Sequence, residues 1–328
     1  MGKRVLLTGA TGFIGSHLAE KLVKCDFDVL CVVRKTSDIS HLKTLKLTIK
    51  EGNLSDANSI KKVLDGVDII IHNAGITKAK KIEEYFRVNF DCTKNLLESA
   101  REILPDLERF IYIGSQAGVG PSPSEKPIDE TFPPKPITPY GMSKLEGEKI
   151  TMEYSKAFPV TVIRPTAVFG PREKDIYFYF KVINKRLMPF LGSFDPLISL
   201  VYVKDLVESI VLSATHPDAV NQIFFVSDNR QYKWSSVAEK IASALKRRCL
   251  RFRIPFLILK GAAYISEFTA FLQNKPALLN RYKIRELCNP YWVCSSEKIT
   301  NLLGFKSQWD IDRAIIETAE WYKENKWL

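Results

Sequence analysis

Tyr140 and Lys144 stand four residues apart in the run Tyr140-Gly141-Met142-Ser143-Lys144, a phenol and an ammonium that a helix would set on one face, one turn apart. A phenol with a reference pKa of about 10 is a poor acid–base group at neutral pH unless its anion is stabilised, and a neighbouring cation does that. This spacing alone arises often by chance. Ser115 adds weight to it: it lies just past the apolar run Arg109–Ile113, where a hydroxyl can orient a carbonyl or alcohol oxygen toward Tyr140. A second constellation opens the chain. Gly9, Gly12 and Gly15 fall between an apolar run at 5–8 and a helical pattern, spaced GxxGxxG. Glycine permits positive φ and a close approach of backbone to a pyrophosphate, whose charge meets the free N–H groups of a helix N-terminus. Residues 8–18 are therefore the expected pyrophosphate site of a dinucleotide, and an oxidised nicotinamide ring near Tyr140 would favour its anion further.

These groups need elements to hold them, and strand and helix patterns alternate through the first half. Apolar strand-like runs occur at 5–8, 28–33, 68–71, 109–113 and 160–163. Helical patterns fall between them at 13–24, with Ile14, Leu18, Leu22 and Val23 on one face, and at 60–64, 88–102 and 140–158, with Pro139 suited to a first turn. Such alternation predicts an α/β fold, a doubly wound parallel sheet of Rossmann type buried on both faces. After Arg164-Pro165 the rhythm changes, with Pro171, Pro189 and Pro196 interrupting it; strand-like runs return at 198–203 and 222–226, and a helix closes the chain at 310–325. Residues 1–170 are expected to form the dinucleotide-binding domain, with 198–226 returning to its sheet. The stretches 171–197 and 227–328 should form a smaller, mostly helical substrate-binding lobe.

The end of the second strand should lie beside the adenosine ribose, where an acid would accept from a free 2′-hydroxyl and a base would tolerate a 2′-phosphate. Here Arg34 and Lys35 precede Thr36 and Ser37, and no acid occurs before Asp38. NADP(H) is favoured, with NAD(H) as the alternative. Composition narrows the remainder. A chain of 328 residues, 45% hydrophobic and 26% charged, is ordinary for a globular protein. The net charge of +11 is spread along the chain rather than gathered in a stripe with interleaved aromatics, which argues against nucleic acid. Six cysteines and four histidines are scattered, so no metal site is expected. The apolar run at 5–7 is too short for a signal segment, and a cytoplasmic location is expected.

Taken together, the motifs resemble the extended short-chain dehydrogenase/reductase family, which holds sugar-nucleotide epimerases and dehydratases, 3β-hydroxysteroid dehydrogenases and dihydroflavonol reductases. The matching segments are TGATGFIGSHL at 8–18, GNLSD at 52–56, HNAG at 72–75, VN at 88–89, YIGSQAGVG at 112–120, YGMSK at 140–144, RPTAVFGPR at 164–172 and VYVKDL at 201–206. The resemblance implies roles. Thr11, Phe13 and Ile14 belong to the pyrophosphate turn, and Asn53 and Leu54 flank the adenine. Asn73, Ala74 and Gly75 run beside the nicotinamide ribose, whose hydroxyls Lys144 binds; Pro165 and Val168 approach the nicotinamide, and Tyr140 touches both cofactor and substrate. Asn89 holds the sheet and a proton-relay water. A homodimer through the helices at 88–102 and 140–158 is also implied.

Departures from the family bear on the substrate. Epimerases usually carry Asn where Ala167 stands, and often an arginine in the stretch now occupied by Ile198 and Ser199, both for a sugar diphosphate; Val119 replaces a tyrosine. A non-nucleotide, hydrophobic small molecule undergoing alcohol–ketone interconversion is thus expected, with Tyr177, Phe178, Phe180, Met188, Phe190 and Phe194 as candidate pocket residues. Epimerisation or dehydration through a transient ketone is the alternative. A non-catalytic NADP sensor is the remote one, since Ser115, Tyr140 and Lys144 are all retained. The apolar stretch 252–272 contains Arg253, Lys260 and Glu267 and is a poor membrane span. It is expected to pack over the substrate pocket; beside the basic cluster at 246–253, a membrane-surface role is the alternative.

Overall fold

The computed structural model describes residues 2–273, 275–277 and 279–328. In chain order the elements are β1 (Arg4–Thr8), α1 (Phe13–Lys24), β2 (Asp28–Val33), β3 (Thr48–Glu51), α2 (Ala57–Leu64), β4 (Ile69–His72), α3 (Ile82–Phe86), α4 (Cys92–Ile103), β5 (Arg109–Ile113), α5 (Gln116–Val119), α6 (Pro139–Glu153) and β6 (Val160–Pro165). The second half adds β7 (Ala167–Phe169), α7 (Tyr177–Asn184), β8 (Leu187–Leu191), β9 (Leu197–Ile198), β10 (Leu200–Tyr202), α8 (Val203–Thr215), β11 (Gln222–Val226), β12 (Tyr232–Lys233) and α9 (Trp234–Ala244). It ends with β13 (Leu250–Ile254), α10 (Phe256–Leu272), α11 (Arg281–Leu287), β14 (Tyr291–Trp292), α12 (Glu297–Leu303) and α13 (Ile311–Glu324).

Seven strands form one sheet in the order β3-β2-β1-β4-β5-β6-β11, every pair parallel. Side chains alternate between its two faces. Val5, Leu7, Ile69, Ile71 and Ile111 join one apolar cluster, whereas Leu6, Ile70, Phe110 and Tyr112 join the other. Both faces are thus covered, as in a doubly wound Rossmann-like fold. The strand order reverses between β1 and β4, which opens a crevice at the carboxyl ends of the strands, where ligands of such folds bind. The first cluster continues through Phe180, Ile183, Met188, Val201 and Tyr322, so the C-terminal half shares the core of the sheet.

Several elements differ from the sequence expectations. β3 was not anticipated, because as an edge strand it buries no residue fully and carries little apolar signal. The helix expected at 88–102 begins earlier, as α3, and passes through a π-helical turn at Arg87–Asp91 before continuing as α4. α6 ends at Glu153 rather than 158; one 3₁₀ turn follows, and Pro159 disfavours helical backbone at the residue before it. The run 198–203 is not one strand: β9 pairs with β12 and β14, β10 pairs with β7, and Val203 already starts α8.

Candidate active site

The glycine turn joins β1 to α1. Gly9 has φ +69°, and a Cβ on it would lie 2.7 Å from the backbone of Ala74; on Gly15 it would lie 2.0 Å from the Gly9 oxygen. Gly9 thus provides the bend, and Gly15 lets the helix press against it. Gly12 does neither. It sits exposed at the head of α1 with extended backbone and no side-chain cap, and no acid occurs in the first turn. The N–H groups of α1 are therefore open to an anion. Asn73 donates from Nδ2 to the Gly9 oxygen at 3.3 Å, so it supports this turn from β4. Thr11, Phe13 and Ile14 are half-buried around it. Arg34 and Lys35 are exposed at the end of β2 and carry no carboxylate partner among the described residues. Asn53 uses Oδ1 to accept the Ser55 N–H at 3.0 Å, and Leu54 beside it is half-buried.

A directed hydrogen-bond chain fixes the strand that follows. Thr93 donates from Oγ1 to the Asn89 carbonyl at 2.9 Å, which leaves Thr93 Oγ1 to accept from His72 Nε2 at 2.9 Å. His72 Nδ1 then accepts from Thr8 Oγ1 at 2.8 Å, and Thr8 Oγ1 accepts the Ala74 N–H at 3.1 Å. Burial, followed by the charge of Lys144, lowers the His72 pKa to about 3, so it is a neutral structural link. Asn89 completes the frame: Oδ1 accepts from Ile76 N at 2.9 Å, and Nδ2 donates to the Ile76 carbonyl and to Ser143 Oγ. Its side-chain hydrogen bonds are structural ones, made where the π turn carries it. Gly75 and Gly147 permit the close fit, since a Cβ would lie 2.9 Å from Asn89 Oδ1 and 2.5 Å from the Asn89 carbonyl, respectively.

α6 starts at a strong cap, with Thr138 Oγ1 accepting the Gly141 N–H and Pro139 in the first turn. Gly141 brings it against α5, and the Arg164–Glu148 ion pair, 4% and 6% exposed, locks it to β6. Tyr140 and Lys144 consequently point from a rigid helix. Burial pushes the Tyr140 phenol up to about 12; the Ser115 hydroxyl opposes this, and Glu286 and Tyr85 add to it. Lys144 is buried, its Nζ 4.3 Å from the centre of the Tyr112 ring, and burial lowers it to about 7 against the pull of Glu148. It has no hydrogen-bond acceptor among the described residues. This differs from the sequence expectation in one respect: burial, not the Lys144 charge, dominates at Tyr140, which is protonated at neutral pH. Pro165 ends β6 and Val168 is the middle residue of β7. Glycine cradle, open helix terminus and an ammonium without a hydrogen-bond acceptor among the described residues all fit a nicotinamide dinucleotide.

The substrate side departs from expectation. Tyr177 packs on Tyr322 and Trp327, Phe180 and Met188 are core, Phe194 rests on Phe256, Phe178 is 61% exposed, and Phe190 lines a surface cleft with Asp195 and Arg251. Most belong to the continuous core or the surface, and among the described contacts none gathers them at Tyr140. α10 does not bury itself over the site either, for only Leu259 and Ala263 are buried along it. Its neighbour α11 reaches the site instead. Thr138 Oγ1 donates to Glu286 at 3.4 Å, and the Tyr85 ring lies 6.3 Å from that of Tyr140. Lys283 pairs with Glu286, and Lys78 with Asp175. Gln116, next to Ser115, is buried with Nε2 unpartnered. Lys283 and Glu286 carry no recognisable local motif, and the packing of α11 brings Glu286 to α6. Ser199, in the stretch where the resemblance led one to expect an arginine, exchanges hydrogen bonds with the Cys294 backbone.

Residues 5–227 match the NAD dependent epimerase/dehydratase family. The chain is 26% identical over 329 residues to ceramide reductase of Caulobacter vibrioides, covering 99% of this chain and 96% of that protein. It is 30% identical over 267 residues to UDP-glucose 4-epimerase of Vibrio cholerae, covering 78% and 80%. The crystal structure of UDP-glucose 4-epimerase from Thermotoga maritima with UDP-glucose superposes with a TM-score of 0.82 at 18% identity, covering 98% and 99%. The parallel β3-to-β11 sheet and the glycine turn that opens it therefore have a common explanation: the chain is an enzyme of the NAD dependent epimerase/dehydratase family.

Proposed function

We propose that the protein interconverts a secondary alcohol and a ketone on a non-nucleotide, lipid-like molecule, using NADP(H). The observation that carries this reading is the half-buried, protonated Tyr140 phenol beside the Ser115 hydroxyl, at the carboxyl edge of the sheet. Bound nicotinamide dinucleotide supplies or accepts the hydride. In the reducing direction Ser115 orients the carbonyl oxygen, and Tyr140 gives its proton to the oxygen as negative charge develops there. In the oxidising direction Tyr140 takes the hydroxyl proton. Lys144 holds ribose hydroxyls through its ammonium, and the Asn89–Ser143 bonds keep α6 in register with β4.

The similarity to ceramide reductase supports redox chemistry on a lipid. Ala167 and the occupied Ser199 speak against a sugar diphosphate. The charged rim of Lys78, Lys283 and Glu286 suits a substrate with polar groups near the reacting carbon. Unpaired Arg34 and Lys35 support NADP(H) through the 2′-phosphate. The 30% identity to UDP-glucose 4-epimerase favours the second reading, epimerisation or dehydration through a ketone held on the enzyme. Calorimetric titration with NADPH and NADH, then turnover against keto-lipids and sugar nucleotides, separates the two. NADPH should bind more tightly, and Tyr140→Phe should lose about 10²–10⁴-fold in turnover while binding the dinucleotide normally. Tighter binding of NADH would reject the assignment made to Arg34 and Lys35.

A further inference from the structure

Sixteen large hydrophobic side chains are exposed among the described residues, and nine of them lie between 250 and 272. α10 supplies most of them. Its inner stripe, Leu259 and Ala263, packs over Leu191, Ile254, Ile284 and Leu287. Its outer stripe is Leu257, Tyr264, Ile265, Phe268, Phe271 and Leu272, each 63–82% exposed. These positions recur at helical spacing and form one continuous apolar face. Gly261 lies in that face, and a Cβ built on it meets nothing within 4 Å. The single acid of the helix, Glu267, is turned to its flank and pairs with Arg281.

The face belongs to a strongly basic segment. Residues 246–275 contain seven Lys and Arg and one Glu, a net +6 within a chain whose total is +11. Arg251 pairs with Glu239, Arg253 donates to the Gly192 and Phe194 carbonyls, and Arg247 donates to Asn184. Lys246, Arg248, Lys260 and Lys275 are exposed and carry no partner among the described residues. No helix among the described residues is long and apolar enough to cross a membrane.

We infer that the outer face of α10 is a docking surface for an anionic lipid bilayer, with the helix lying in the interface plane. Aliphatic and aromatic side chains enter the acyl boundary, and the flanking cations meet lipid phosphates. A second copy of the chain fits less well, because an isologous contact through this face brings the two +6 segments together. The inference goes beyond the reaction proposed above and stands whether or not that reaction is correct. It also places the active-site mouth near the bilayer, since α11, packed against α10, carries Glu286 to Thr138.

Flotation of the full chain with phosphatidylcholine vesicles, with and without phosphatidylglycerol, tests it. Wild type should float with the anionic vesicles, and at least about tenfold less with the neutral ones. The triple variant Leu257→Ser, Phe268→Ser, Phe271→Ser should lose flotation while keeping its melting temperature and its dinucleotide affinity. Lys246→Glu with Arg248→Glu should weaken flotation and its salt sensitivity. Absence of wild-type flotation, or flotation unchanged by the triple variant, overturns the inference. A wild-type dimer that the triple variant converts to monomer, with no flotation in either, assigns the face to a second copy instead.

Discussion

The glycine turn with α6 and the α10–α11 segment are both built from helices beside the active site, yet they are held in opposite ways. Around the turn, backbone meets backbone at distances that only glycine allows, and polar side chains are buried in closed sets of hydrogen bonds. Around α10, contacts are few, the outer face is bare, and the ion pairs lie in solvent. In the function proposed above the first region presents a proton donor and an anion site at fixed geometry, and its close packing tolerates little change. The second meets whatever enters from outside, and its energetics are those of a surface.

Two ion pairs express this difference most strongly. Glu148→Ala leaves the Arg164 guanidinium buried without its bidentate acceptor, and should cost about 3–5 kcal/mol. Glu267→Ala removes an acceptor from Arg281, which is 66% exposed, and should cost about 0.2–1 kcal/mol. Urea denaturation with unchanged m-values measures both; comparable losses would erase the contrast. Next in size is Gly15→Ala, whose methyl would enter within 2.0 Å of the Gly9 oxygen. It should destabilise by about 1–3 kcal/mol or more and weaken dinucleotide binding, because α1 must back away from the turn.

Legibility in the sequence followed the same division. Gly9 and Gly15 are legible because a backbone constraint dictates the residue type at both positions, with Gly12 exposed between them, and Ser115, Tyr140 and Lys144 stand out as candidates because they sit at set distances from predicted strand and helix ends. The parallel sheet is legible because strands buried on both faces are apolar throughout. The π turn at Arg87–Asp91 contains neither Gly nor Pro, and it is settled by the bonds of Asn89 to Ile76 and Ser143, remote in sequence. Glu286 lies 146 positions after Tyr140, and no spacing rule links them. The aromatic residues at 177–194 illustrate the converse: their composition suits a pocket, but the C-terminal ring cluster of Tyr322 and Trp327 recruits Tyr177 and Phe180 into the core.

The protonation of Lys144 sharpens the account of the ordered region. Burial lowers its pKa to about 7, whereas an unfolded lysine titrates near 10.5. Between those values the unfolded chain holds the extra proton, so this site's contribution to stability rises with pH across the window. A ligand that accepts hydrogen bonds from the ammonium favours its charged form. NADP(H) binding near pH 8 should therefore take up as much as about one proton, read from calorimetric heats in buffers of different ionisation enthalpy. Equal heats in both buffers would show that Lys144 does not meet the cofactor in its charged form, and Lys144→Met should abolish any uptake.

The smallest effect is the reverse of the Gly15 substitution. Gly261 is a helical glycine with open space around its Cβ direction and no positive φ, so alanine there meets no clash and loses less backbone entropy on folding. Gly261→Ala should stabilise by about 0.5–1 kcal/mol or leave stability unchanged, and it should not affect turnover. A destabilisation of that size would mean that the α10 face is covered by a close-packed partner in solution, since only a neighbour against Gly261 could object to a methyl group.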